Sequence, residues 1–207
     1  MQAEVTPRSI SQVWLLFYRP SESDPFQNKL VANLSKKQFC HVEIAFAERV
    51  GEEPWEKKMW GSSIYQGESV FYEAKRYKRD GYVSFTLEVS PQQLKIMKAC
   101  CQARAEAKVP FNLWAMYFAY LPCQLWNWGE GTFCSRHVTE VLQQARVPHV
   151  LHLNASQVTP SSLYCALVQH QGRTPESPLL MQLVPSRMHR GEQAEQMRQQ
   201  LLASRVT

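Results

Sequence analysis

The sequence predicts an α+β fold, and two observations carry that prediction. Strand-like segments fill the first ninety or so residues, and helical periodicity takes over after Ser90. Aromatic and aliphatic residues spread through the first 170 or so of the 207 positions are enough to bury one sizeable core. The expected organisation is a single domain over residues 1–171 and an extension over 172–207.

Val13 to Arg19, "VWLLFYR", is a short apolar run suited to a buried strand, followed by the turn-rich "RPSESDPFQN". "FCHVEIAF" then alternates: Cys40, Val42, Ile44 and Phe46 point one way, and Phe39, His41, Glu43 and Ala45 the other. The next segment, from Ala47 to Ser69, is polar and broken by Gly and Pro, and reads as a connection or an excursion of the sheet. Val70 to Ala74 and Tyr82 to Val89 read as strands, joined by a basic stretch, "KRYKRD", that suits a solvated turn.

Ser90, Pro91 and Gln93 spell a helix start, with a capping box and proline at the first helical position. Leu94, Met97, Cys101 and Ala105 make its apolar stripe. The aromatic stretch from Val109 to Gly131 suits a helix and a loop walling a cleft, and Thr159-Pro160 opens another helix striped by Leu163, Leu167 and Val168. After Gly172 the pattern fades, apart from weak helical spacing at Ala194 to Leu202; this reads as a flexible extension whose short helix is suited to docking on the body of the protein or on a partner protein.

The net charge of +5 is mild, and no basic stripe with interleaved aromatics or nucleic-acid-binding module is visible. The N-terminal residues lack the apolar region of a secretory signal, and the longest apolar stretch, Leu113 to Trp126, is interrupted by Pro122. The expectation is a cytoplasmic protein, at most peripheral to a membrane. Its six cysteines show no C-x-x-C pair, so free thiols are expected and no metal or cofactor is called for.

One thiol stands apart. Val138, Val141, Leu142 and Ala145 follow Cys134 at helical spacing, which puts Cys134 on the core-facing stripe at a helix N-terminus, with Thr132 as the expected cap. Unpaired N–H groups and the positive end of the dipole suit an anion there, and the same N–H groups suit an oxyanion. A cysteine nucleophile needs an imidazole held by a third group. Of the six histidines, His41 lies mid-strand on a face of mixed polarity. His137 is the local rival, but three residues along the same helix it is anchored about 5 Å up the axis, leaving little room for a substrate; a surface or interhelix place is expected for it. Asp24 and Asp80 fall in turns, so the orienting acid is Glu73, in the next predicted strand, or Glu43.

Together "FCHVEIAF", "SVFYEA", "AKVPFN", "GTFCSRHVTEVL" and "TPSSLYCAL" resemble the circularly permuted papain-like hydrolases of the NlpC superfamily. That group includes the YiiX and YaeF bacterial proteins, the lecithin:retinol acyltransferase group and viral relatives. The resemblance covers about residues 10–170. It implies an antiparallel sheet packed against helices, Cys134 as nucleophile, His41 as base and Glu73 as orienting acid. It also implies a thiol hydrolase or acyltransferase that works through an acyl-enzyme on a peptide, amide or acyl-lipid substrate. Pro110-Phe111-Asn112 matches a Pro-Tyr-Asp-like element with Phe for Tyr, and the interval between His41 and Glu73 is long, which keeps Glu43 as the substitute acid. Two other readings are an inactive papain-like binding module and a peptidase of the adenovirus and SUMO-protease type; the latter usually has a glutamine shortly before the cysteine, where this chain has "WNWGEGTF".

Overall fold

The computed structural model describes residues 10–24, 28, 29, 31, 33, 39–120 and 130–170. The expected extension over 172–207, with its weak helical pattern, lies outside the described residues, as do Cys123, Trp126 and Trp128.

Five strands form one antiparallel sheet: β1 (Ser11–Tyr18), β2 (His41–Phe46), β3 (Met59–Ser63), β4 (Phe71–Lys75) and β5 (Tyr82–Val89), in the order β4-β3-β2-β1-β5. Four helices follow: α1 (Pro91–Glu106), α2 (Leu113–Phe118), α3 (Cys134–Gln144) and α4 (Pro160–His170). The chain is thus α+β, with all five strands before these four helices and helical residues also at 28, 29, 31 and 33, between β1 and β2. Among the described residues no helix is long and apolar enough to cross a membrane.

The central strands β1 and β2 are buried on both faces, which explains their near-continuous apolar sequences. Val13, Leu15, Phe17, Val42, Ile44 and Phe46 pack against Met97 of α1, Val138, Val141 and Leu142 of α3, and Leu163 and Leu167 of α4. Each such side chain contributes about 1.5–3 kcal/mol on leaving water. On the opposite face Leu16 and Ala45 are covered by Tyr77.

β3 decides between the two readings of residues 47–69: the segment contributes a strand to the sheet and is not merely a connection. "MWGSS" carries little apolar signal because Gly61, Ser62 and Ser63 are needed for fit: a Cβ on Gly61 would stand 1.8 Å from Tyr77 Oη. Inserting β3 puts two strand spacings, about 9–10 Å, between β2 and β4.

Local helix signals act as expected at α1, where Ser90 Oγ accepts from Gln93 N at 3.2 Å and Gln93 Oε1 accepts from Ser90 N at 2.9 Å. At α4, Thr159 Oγ1 accepts from Ser162 N at 3.2 Å. At α3 the cap is Phe133, not Thr132, and no side chain bonds the first turn. The segment before α3 is held by backbone instead. Thr132 N donates to Pro110 O at 2.9 Å and Asn112 N to Thr132 O at 2.7 Å, while Phe111 N donates to Glu68 O and Val109 O accepts from Val70 N, both at 2.9 Å. Pro110-Phe111-Asn112 therefore ties the start of β4 to the start of α3.

Candidate functional site

Cys134 is the first residue of α3 and is 5% exposed. The helix is amphipathic, and Val138, Val141, Leu142 and Ala145 press the same stripe into the core. Gly131 sets the approach: its φ is +107°, and a Cβ there would meet Pro110 O at 2.4 Å. Ser135 is buried and donates from Oγ to Val158 O at 2.7 Å, anchoring the first turn. The opening N–H groups of a helix have no partner within it, so the residue that starts α3 sits beside free donors.

A cavity of about 330 Å³ opens at the end of the sheet where Tyr18, His41 and Tyr82 lie side by side in register. Cys134 and His41 both line it, with Cys40, Ile64, Phe111 and Met116 as apolar wall, Tyr18, Tyr65 and Tyr82 as aromatic wall, and Asp24 and Asn28 at one side. Asp24 is an anion held by its surroundings: it accepts from Tyr18 Oη, Ser21 Oγ and Ser21 N. Those bonds outweigh the desolvation that opposes them and lower its carboxyl from the usual value.

His41 begins β2, with its side chain 13% exposed. Burial alone would depress its pKa; the negative charge and hydrogen bonding of Cys134, with the carboxylate of Glu43, outweigh burial and raise it to about 9. Its Nε2 lies 3.6 Å from Glu43 Oε1, an ion-pair contact longer than a hydrogen bond. Tyr65 covers the ring face, with centroids 4.8 Å apart and planes 19° from parallel. The β2–β3 register explains this, since pairing Ile44 with Ser62 carries Tyr65 opposite His41.

Glu43 is fully buried. Its Oε1 accepts from Tyr65 Oη and Tyr82 Oη, each at 3.0 Å, and its Oε2 lies 2.5 Å from Lys75 Nζ. Desolvation opposes the charge, but His41 and Lys75 overcome it and lower the carboxyl to about 2. Burial and the Glu43 charge push the phenols of Tyr65, Tyr77 and Tyr82 upward, so they remain donors.

Glu73, the acid expected from the sequence, does not stand beside His41. It is exposed on the edge strand β4, opposite Gly61 and one strand beyond β3. It shares the face of His41, as the alternation required, but β3 separates it from β2. The carboxylate beside His41 is Glu43, and the side chain that reaches in from β4 is Lys75. Lys75 is also a correction to the solvated basic turn: only Lys78, Arg79 and Asp80 at its tip are exposed, together with Arg76.

His137 is fully buried and faces away from the cavity. Arg104 Nη1 donates to its Nδ1 at 3.1 Å, so Nε2 carries the proton and donates to Ser62 Oγ at 2.9 Å; Ser62 Oγ donates in turn to Phe71 O at 2.7 Å. Burial, then the guanidinium of Arg104, lower its pKa to about 3. Arg104 also pairs with Glu140, which pairs with Arg136 at 2.8 Å. His137 is therefore a neutral link between α1, α3 and the sheet.

Cys40, Cys100, Cys101 and Cys165 are buried cysteines, and burial is the first cause raising the pKa of each. Among the described residues no group of three or more His, Cys, Asp or Glu is placed to hold a metal. Sequence reasoning missed Lys75, Tyr65 and Tyr82; the one available signal was that Phe71, Glu73 and Lys75 alternate onto one strand face. Compared with family models, curated proteins and solved structures, the chain matches none.

Proposed function

We propose that the protein is a cysteine-dependent hydrolase or acyltransferase on a permuted papain-like fold, with Cys134 as nucleophile, His41 as proton carrier and Glu43 as the acid that orients His41. The observation that carries this reading is the shared cavity: Cys134 at the N-terminal end of α3 and His41 at the start of β2 line one 330 Å³ space. The pairing of His41 Nε2 with Glu43 leaves Nδ1 for exchange with the thiol. The order of the elements, sheet strands before the cysteine helix, suits the permuted arrangement.

In this mechanism the Cys134 sulfur attacks the carbonyl carbon of an amide or ester, forming a carbon–sulfur bond and an oxyanion. The backbone N–H groups that open α3 are the donors available to that oxyanion. His41 gives its proton to the departing amine or alkoxide as the carbon–heteroatom bond breaks, which leaves a thioester. His41, now neutral, takes a proton from water or an acceptor alcohol or amine, which attacks the thioester and frees Cys134. Glu43 remains ionised throughout, held by two phenols and Lys75.

The aliphatic and aromatic walls of the cavity favour an acyl group or side chain of apolar character over a highly charged one. Incubation with a series of p-nitrophenyl acyl esters, followed by mass spectrometry of the protein, tests the reading. The expected product is an acyl adduct on Cys134 that is lost in Cys134→Ala and forms at least about a hundredfold more slowly in His41→Ala. No adduct at Cys134, or an adduct whose rate ignores His41→Ala, overturns it.

A further inference from the structure

We propose that Lys75 is a positioning residue of this site: its ammonium balances the buried Glu43 carboxylate and thereby sets the pH range over which the Cys134–His41 pair is charged. The inference rests on the Cys134–His41 reading above and adds to it a fourth group from a different strand.

The geometry is specific. Lys75 ends the edge strand β4, where a lysine would ordinarily extend into water. Here its side chain is 23% exposed and turns inward, with Nζ 2.5 Å from Glu43 Oε2 and donating to Tyr65 Oη at 2.9 Å. It lies over three aromatic faces, 4.7 Å from the Phe71 centroid, 4.9 Å from Tyr77 and 5.3 Å from Tyr65. An ammonium gives up hydration only where charge and ring faces replace it. Tyr65 joins both ends of this arrangement, because the ring that stacks on His41 also donates to Glu43 and accepts from Lys75.

Two pairs of opposite charge result. A thiolate and an imidazolium sum to zero, and Glu43 with Lys75 sums to zero beside them. The phenols that face this cluster are Tyr65 from beyond β3, Tyr77 from the turn after β4 and Tyr82 from β5, and the Glu68 and Glu73 carboxylates act on Tyr65 from outside it. Cys40 adjoins His41 and Asp24 lies at the side of the cavity. Without Lys75 the cluster carries one more negative charge. Both Cys134 and His41 then hold their protons to higher pH. Without the Glu43 charge the cluster carries one more positive charge, and both release protons at lower pH.

The test is the rate of Cys134 alkylation by iodoacetamide, followed residue by residue by mass spectrometry from acid to alkaline pH. In the wild type it should rise where the charged pair forms and change again where His41 loses its proton. Lys75→Met should move both limbs to higher pH by about one unit, Glu43→Gln should move them to lower pH, and Lys75→Arg should leave them in place. A lysine that only braces the sheet would lower the unfolding temperature in Lys75→Met and leave both limbs where they were; that result overturns the inference. So does a shift of Glu43→Gln to higher pH, which can be read even if Lys75→Met does not fold. Failure of the nucleophile reading looks different: wild-type Cys134 is then alkylated no faster than Cys40 or Cys165, whatever stands at position 75.

Discussion

Glu43 Oε1 stands 3.6 Å from His41 Nε2, and the two residues are two positions apart on one strand. A period of two places both side chains on the same face with no tertiary adjustment, so the pair is built into β2 itself. Its carboxylate is buried and held by groups from three other segments, whereas Glu73 is exposed on β4.

The first expectation concerns which acid matters. Glu73→Gln should leave the rate of acylation of Cys134 within about twofold, as for a solvated surface change. Glu43→Gln should lower it at neutral pH by roughly tenfold or more, because the ring loses the charge that orients and protonates it. Acylation kinetics of the two variants with one ester decide it. A larger effect at Glu73 would return the role to β4.

The histidines should titrate in opposite directions. His41, raised to about 9, gains stability from its proton; that contribution is full below its unfolded value of about 6.5 and is lost as pH rises through about 9. His137, lowered to about 3, is favoured neutral in the fold, so its contribution is present above about 6.5 and declines as pH falls toward 3. Nitrogen-15 NMR of the imidazoles should find His41 charged and His137 neutral, protonated on Nε2, at pH near 7. Thermal unfolding should show stability falling on the acid side of neutrality, to which Glu43 adds: its contribution is present above its unfolded value of about 4.5 and is lost as pH falls toward about 2.

Gly131→Ala should damage the site without touching its chemistry. The new Cβ meets Pro110 O at 2.4 Å, and a φ of +107° is one that L side chains rarely adopt. A loss of roughly 1–3 kcal/mol in denaturant unfolding is expected, together with slower acylation of Cys134 as the start of α3 shifts. Unchanged values for both would mean the approach to α3 tolerates movement.

At Gly61 the expected cost is purely one of packing. Gly61→Ala places a methyl 1.8 Å from the buried Tyr77 Oη and should destabilise by about 1–3 kcal/mol while displacing Tyr77. Gly61→Ala combined with Tyr77→Phe should recover part of that loss, because the displaced oxygen is gone; urea titrations of the three variants measure the coupling. Complete additivity would place the clash elsewhere.

Ser90→Ala at the start of α1 should cost about 1 kcal/mol, since the capping box there serves α1 alone and lies apart from the cavity. Acylation of Cys134 should be unaffected, and a change there would reveal a coupling between α1 and the site.

What the sequence determined by itself was everything with a short period. Alternation in "FCHVEIAF" put His41 and Glu43 on one face, and the stripe through Val138, Val141 and Leu142 put Cys134 on the buried side of its helix. The Ser90-to-Gln93 signature opened α1 where the chain opens it. These features depend on residues within a turn or two of one another, so local backbone geometry decides them. The tertiary structure alone decided what lies between such elements. Gly61, Ser62 and Ser63 carry no apolar rhythm, yet they form the strand that separates Glu73 from His41, leaves room for Tyr77 and turns His137 toward Ser62. Lys75 looked like part of a solvated basic turn because nothing near it in sequence pays for burying an ammonium. Its partners, Glu43 thirty-two residues earlier and the aromatic faces around it, come together only when the sheet is assembled.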